Sequence, residues 1–450
     1  MDVTEKHPDY NHRRECEWET MRDVWQGESR IKERHDHYLP RPEGWKHHAD
    51  RGDLAYRQYI QRARFPGFTA QAIRSMVGVL HGQPWHVQLP PALDYMRERA
   101  TLDGLPMEVF SRRITTELLI TGRYCVLADA PPNGGDPYLA GYGAEALTNW
   151  DVLHDFYALS ECARVRNGFK WGESKRVRAL HIEDGIYVQD IYDNGDLMAR
   201  TIPTARGGKP LTQVPISVGG AMDMDLCPDA PPLIGVARAA ISHYQLNADY
   251  RMALYMAYQD TLVVYNAAEP PKAVGAGVVM SLTSAENGKE AKAEYIAPSG
   301  QSIEAHERAM DREYSNAARS GAQLFNSTSS AQESGDARRL RFSAETASLA
   351  TIAGSSAAIL ERALRHAAVM AGADPQEVIV TPPKNLLDGK LEPTELQALV
   401  AAWQAGAFST ETLYENLQRG RIASMDRDLA AETALKDAEA AGTPAPDAGL

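Results

Sequence analysis

The chain has 450 residues, 44% of them hydrophobic and 24% charged, with a formal net charge of −13. That length can bury a large core and fits two or more domains, and the composition is ordinary for a soluble protein. A module that holds DNA by charge is normally basic, because its affinity comes from neutralising phosphates. The acidic balance therefore argues against simple DNA binding, while a conduit whose wall repels the duplex remains compatible with it.

Four cysteines (Cys16, Cys125, Cys162 and Cys227) lack CxxC spacing. This argues against a zinc ribbon or a disulfide framework and suits a reducing cytoplasm. The N-terminus is charged and aromatic, without the apolar stretch of a secretory signal. No apolar run approaches the ~20 residues that a membrane span needs, so no membrane contact is expected.

Along the chain, an amphipathic helix is expected from Arg13 to His35, stopped by Tyr38-Leu39-Pro40-Arg41-Pro42. Residues 54–82 and 105–121 read as helices, the second with Phe110, Ile114, Leu118 and Leu119 on one face. Gly122 closes that helix, and Tyr124–Ala128 reads as a buried strand. The region 131–220 turns β-rich, with runs at 155–163, 176–181, 186–191 and 214–218 and a hairpin turn at Asp193-Asn194-Gly195-Asp196. After Pro231-Pro232 a long helix rich in Tyr and Met is expected from Leu233 to Val264. Residues 266–301 are broken by Pro270-Pro271, Gly275-Ala276-Gly277 and Asn287-Gly288, which predicts a small strand-and-turn insert. Helix returns over 302–325, with Ser302 as N-cap and Glu304 four residues before Arg308.

A polar loop follows, Asn326-Ser327-Thr328-Ser329-Ser330-Ala331-Gln332-Glu333-Ser334-Gly335. Then comes a helix expected from Asp336 to Ala371, without proline and rich in Ala and Ser. At about 1.5 Å per residue it would span roughly 54 Å. Its small residues suit close backbone packing, in the same chain or in copies of it. With the Tyr/Met helix before it, it is expected to carry more apolar surface than one chain covers. Beyond Pro375, short helices are expected near 393–404 and 410–418, and the acidic, Ala-rich tail after Arg427 is expected to fray at its end.

The helix–loop–long-helix arrangement resembles the tunnel loop and tunnel helix of tailed-phage portal proteins. The resemblance extends through His7-Pro8-Asp9-Tyr10, Trp18, Met21-Arg22-Asp23, Gly27, Ile31-Lys32 and Tyr38-Leu39-Pro40. It continues in Tyr59-Ile60-Gln61-Arg62-Ala63-Arg64-Phe65 and Gly122-Arg123-Tyr124-Cys125-Val126-Leu127-Ala128-Asp129, and covers most of residues 7–373. These stretches look like one portal family known mainly by a placeholder domain name. The resemblance implies an α+β portal fold: a wing-like region over 1–230, stem helices at 231–265 and 302–325, and a strand-rich clip at 266–301. A tunnel loop at 326–335, a tunnel helix at 336–373 and a wing- or crown-like region at 374–450 complete it. It further implies a ring, of twelve copies, at one capsid vertex. Double-stranded DNA would pass along its axis without sequence specificity. Terminase, neck or adaptor proteins, and the capsid or scaffold protein would be partners. The location would be the virion, with the host cytoplasm during assembly.

The loop is the best functional candidate. Ser327, Thr328, Ser329, Ser330, Gln332, Ser334 and Gly335 would line the channel and touch the DNA backbone. Arg338, Arg339 and Arg341 would guide DNA, or else form inter-subunit ion pairs with residues such as Glu333 or Asp336. At most Arg338 and Arg341 share a helix face.

No other constellation carries chemistry. A packaging ATPase needs GxxxxGK[ST], and here Gly288-Lys289 is followed by Glu290. Gly275-Ala276-Gly277 has Met280 where a third glycine would stand. His35, His37, His47 and His48 fit neither an HExxH helix nor a Cys/His knuckle. Asp193/Asp196 and Asp223/Asp225 read as turn residues. No GxSxG elbow is present. No catalytic residue, metal or cofactor is expected, and the chain is read as not an enzyme. Two alternatives stay open: a non-channel minor head or scaffold-binding virion protein, and an enzyme whose site the sequence does not reveal.

Overall fold

The computed structural model describes residues 3–46, 52–131, 135–257, 261–269, 282–284, 289–296, 301–322, 335–383, 393–419, 422–424 and 427–442. The chain divides into two units, Met1–Pro382 and Pro383–Leu450.

The larger unit opens with α1 (His12–Gln26) and α2 (Glu28–Glu33), with the Asn11 side chain accepting from the Arg14 N–H to cap α1. The single helix expected over 13–35 is therefore broken at Gly27 (φ 91°). Next come α3 (Glu43–Lys46), α4 (Gly52–Arg62) and α5 (Phe68–Leu80). The helix expected over 54–82 is split because Pro66 disfavours helical backbone in the residue before it.

The N-terminal motif residues form core. Trp18, Met21, Ile31, Tyr38 and Leu39 are buried. Trp18 Nε1 donates to the Thr121 carbonyl at 2.8 Å. Asp23 is 2% exposed and accepts from Arg30 Nε, Arg34 Nε and Tyr38 Oη at 2.7–2.8 Å. A buried carboxylate needs such partners to offset its desolvation.

Strand β1 (His86–Gln88) precedes α6 (Met107–Thr121). Phe110, Ile114, Leu118 and Leu119 are buried as expected. Gly122 takes a left-handed conformation (φ 78°) and returns its N–H to the Leu118 carbonyl, so the chain turns directly into β2 (Arg123–Asp129), whose residues are all buried.

The β-rich region holds β3 (Tyr138–Gly143), β4 (Leu147–Asp151), β5 (Phe156–Asn167), β6 (Lys170–Glu183), β7 (Ile186–Asp193), β8 (Asp196–Thr201) and β9 (Ile216–Gly220). Strands β4 to β8 make an antiparallel meander, and β3-β2-β9 form a second sheet. Asn194-Gly195 supplies the β7–β8 turn that the sequence predicts.

Helix α7 (Ile234–Ala257) follows, then β10 (Thr261–Tyr265) and β11 (Lys292–Ile296), which pair antiparallel, and α8 (Gln301–Ala317). The helix expected to reach Val264 thus stops at Ala257. Thr261-Leu262-Val263-Val264-Tyr265 is β-branched and aromatic, and goes to strand. The helix expected to 325 ends at Ala317 and widens into a π-type turn, Ala318–Ala322, with Gly321 at φ 121°. Most of the insert's glycine and proline turns lie outside the described residues.

Helix α9 (Gly335–Ala371, 37 residues) realises the long helix, and β12 (Ile379–Thr381) pairs with β1. From Leu349 onward α9 is core. Ile359, Leu360, Ala363, Leu364, Ala367 and Ala368 are fully buried, packed against β2, β9 and α6. A Cβ on Gly219 of β9 would lie 2.8 Å from Ile359 Cγ1, a measure of how closely helix and sheet approach.

The second unit contains α10 (Pro393–Gln404), α11 (Thr410–Arg419) and α12 (Leu429–Gly442). The tail after Arg427 begins with α12. Alanine is the best helix former, and Asp428 Oδ1 caps the helix by accepting from the Ala431 N–H at 2.7 Å. Its far end, 443–450, lies outside the described residues.

Candidate functional site

The candidate site is the hairpin made by α7, the β10–β11 ribbon and α8, continuing into α9. Gly235 faces Ser320, Asn247 faces Met310 and Tyr250 faces Glu307, so α7 and α8 run antiparallel. The ribbon prolongs that arrangement, with Thr261 opposite Ile296 and Tyr265 opposite Lys292. Two helices thus lead into two paired strands without a change of partner.

The segment from Tyr59 to Phe68 grips the hairpin's root. Tyr59 Oη donates to Asp249 Oδ1, and the Arg64 N–H donates to Asn247 Oδ1 at 2.8 Å. Burial, reinforced by Asp249, pushes the Tyr59 hydroxyl well above its ordinary pKa, so it remains a donor. The Phe68 ring lies 5.5 Å from His243 of α7 and 5.2 Å from Tyr314 of α8, touching both helices. Arg62 sits 3.7 Å above the Tyr255 ring. Much of the motif Tyr59–Phe65 is therefore used to hold the hairpin.

Away from this root the hairpin leaves apolar groups bare. Met256 is 45% exposed, and Tyr265, Tyr295 and Ile296 are 40%, 60% and 42% exposed. Of these, Met256 alone belongs to a long helix, α7, and the other three belong to the ribbon, while from Leu349 onward the same chain covers most of α9.

Of the residues singled out in the sequence, Ser327, Thr328, Ser329, Ser330, Gln332 and Ser334 lie outside the described residues. Gly335 is the first residue of α9. Arg338, Arg339 and Arg341 fall in its first two turns by backbone, and their side chains lie outside the described residues. The aromatic ribbon, Tyr265 and Tyr295, was missed by sequence reasoning; the β-branched and aromatic run 261–265 was the available signal.

A cavity of about 570 Å³ opens beside Asp129, Arg178 and Gln189. Its polar groups are engaged with each other: Asp129 accepts from Arg178 at 2.8 Å, Gln189 at 3.1 Å and Tyr138 at 3.2 Å. Asp193 accepts from Ser174 and Arg176, and Asp223 accepts from the Asp225 N–H, as turn and pairing residues do. Among the described residues no His/Cys/Asp/Glu group has a metal-holding arrangement, and no helix is long and apolar enough to cross a membrane.

A family model described as a domain of unknown function (DUF4055) matches residues 232–370, which spans α7 through nearly all of α9. No curated protein matches. Among solved structures, a chain from the neck of an empty GTA particle computed with C6 symmetry is similar at 14% identity. That match covers 80% of this chain and 90% of that one, with a TM-score of 0.42. A chain from the neck of the native GTA particle computed with C12 symmetry is similar at 13% identity, covering 78% and 89%, TM-score 0.38. A chain from the virion of the native gene transfer agent particle is similar at 15% identity, covering 78% and 89%, TM-score 0.40. Chains this far apart in sequence and shape share too little to carry a role from one to the other.

Proposed function

We propose that the chain is the portal subunit of a tailed phage or prophage. Copies form a closed ring at one capsid vertex, and double-stranded DNA is packaged and ejected along the axis. The observation that supports this reading best is the hairpin. A pair of antiparallel helices carries a two-stranded ribbon at its far end, is rooted in a mixed α/β body, and leads into a 37-residue helix. That is the order of stem, clip, stem and tunnel helix that the sequence resemblance implies.

In this reading the bare Tyr265, Tyr295 and Ile296 serve contacts with neighbouring copies and with terminase or neck proteins. A heterologous contact repeated by rotation closes into a ring. The loop 326–335 projects toward the axis and meets DNA through hydroxyls, with Arg338 and Arg341 near its base. The subunit carries out no reaction of its own, needs no cofactor, and leaves ATP hydrolysis to its partner.

Cryo-electron microscopy of the purified chain tests this. A closed ring with residues 327–335 at the axis is expected. A ring carrying those residues on its outer surface would overturn the channel role.

A further inference from the structure

The β5–β6 pair extends well beyond the sheet it belongs to. The two strands pair from Tyr157 opposite Leu180 to Asn167 opposite Lys170. Their neighbours stop earlier: β4 pairs β5 no further than Leu159, and β7 pairs β6 no further than Arg176. Residues 162–175 therefore pair along the backbone only with each other, in a ribbon that turns at Gly168 (φ 62°) and is tied at its base by Ser174 Oγ donating to Asp193 of β7.

The ribbon's charge runs against that of the chain. It carries Arg164, Arg166, Lys170 and Lys175 against the single acid Glu173, in a protein of net charge −13. Residues opposite each other in the ladder share a face. One face therefore presents Lys175 beside Cys162, Arg164 beside Glu173, and Arg166 beside Trp171. The opposite face holds Ala163 beside Ser174, Val165 beside Gly172 and, next to the turn, Asn167 beside Lys170.

Arg164 approaches Glu173 at 3.7 Å with both side chains largely in solvent. Arg166, Lys170 and Lys175 make no ion pair among the described residues. Phe169 at the turn is 105% exposed and Trp171 is 66% exposed. Neither makes a ring contact among the described residues. Leaving two large rings in water forgoes burial that would stabilise the fold, so their place is not explained by the core.

We propose that this ribbon is a nucleic-acid contact. It holds the phosphodiester backbone through Arg164, Arg166 and Lys175 on one face and through Lys170 beside the turn, with Phe169 and Trp171 laid against bases. A two-stranded ribbon is narrow enough for the major groove of a duplex, and exposed rings stack on unpaired bases in a single strand. The cores of protein–protein interfaces are depleted of charge, whereas this face carries unpaired cations around one ring. The ribbon lies far in sequence from residues 327–341, so this contact does not rest on the channel reading.

Fluorescence anisotropy on the full chain tests it, using a labelled 20-base-pair duplex and a 20-nucleotide oligothymidylate. The two arms distinguish duplex from single strand as the source of the phosphates. Binding to at least one is expected, weakening by roughly 10²-fold between 50 and 200 mM salt for about four neutralised phosphates. The variant R164Q/R166Q/K170Q/K175Q should bind at least ~10-fold more weakly at low salt, with a salt dependence shallower by about 3–4. R338A/R341A should retain the ribbon's share. A second measurement needs no variant: nucleic acid should slow tryptic cleavage after Arg164, Arg166, Lys170 and Lys175. An unchanged affinity in the quadruple variant, with unprotected cleavage sites, overturns the proposal. Equal protection by poly-glutamate also overturns it, in favour of an acidic protein partner.

Discussion

Helix α9 and the α7–α8 hairpin are both long and come from one stretch of chain, yet they bury their surfaces in opposite ways. From Leu349 to Ala371, α9 is built of Ala, Ser, Leu and Ile and lies inside its own subunit, with Ile359, Leu360 and Leu364 fully buried. The hairpin is fixed at its root by Tyr59, Arg64 and Phe68, and beyond that root it keeps Met256, Tyr265, Tyr295 and Ile296 exposed. Small residues let a helix approach a sheet closely; large amphipathic ones leave groups for something else to cover. Stability should therefore reside in α9 and its sheet, and assembly in the hairpin.

The largest effect should come from α9. Leu360→Ala empties a fully buried site against α6 and should destabilise the fold by about 2–5 kcal/mol. Chemical denaturation measures this directly; a change under ~0.5 kcal/mol would place the core elsewhere. Thr115→Val comes next. The Thr115 hydroxyl lies 2.9 Å from both Ser356 Oγ and His81 Nε2. Its loss leaves a buried Ser356 hydroxyl without that partner, at a cost of about 1–3 kcal/mol. Ser356→Ala in the same background should return part of the loss.

A smaller effect is pH-dependent. Burial, with help from Arg112, holds His81 down at about 4, and burial with Arg362 does the same for His366 on α9. Unfolded histidine titrates near 6.5. The folded values are depressed, so the unfolded chain binds protons that the folded one does not. The stability contribution is full above about pH 6.5 and is lost as pH falls from there toward 4. Melting temperature should decline across that window before the carboxylates titrate, and His366→Gln should flatten the decline. An equal decline in the variant would assign the effect to other groups.

The sequence made the repeating elements legible and left the breaks obscure. The buried face of α6, the Gly122 closure, the Asn194-Gly195 turn and the long α9 follow from periodicity and local backbone preference. The end of α7 at Ala257 does not, because a Tyr/Met-rich helix runs into a β-branched stretch without a Gly or Pro between them. Gly27 and Pro66 are ordinary breaks that helical periodicity on either side obscured. The amphipathic pattern over 13–35 implied a buried face, but not that Asp23 belongs to it, since Asp23, Arg30 and Arg34 find each other only through the fold. The exposed Tyr265–Tyr295 ribbon depends on strands 27 residues apart pairing in register, a non-local fact.

The hairpin supplies the smallest effect on folding and the most direct test. Tyr265→Ser with Tyr295→Ser removes exposed rings and should change stability by no more than ~0.5 kcal/mol. Mass photometry of the unaltered chain should show one large closed assembly, and the double variant should shift toward monomer with its melting temperature unchanged. An unaltered chain that stays monomeric across concentration, or a variant that assembles as well as its parent, would contradict the division between a folding core and an assembling hairpin.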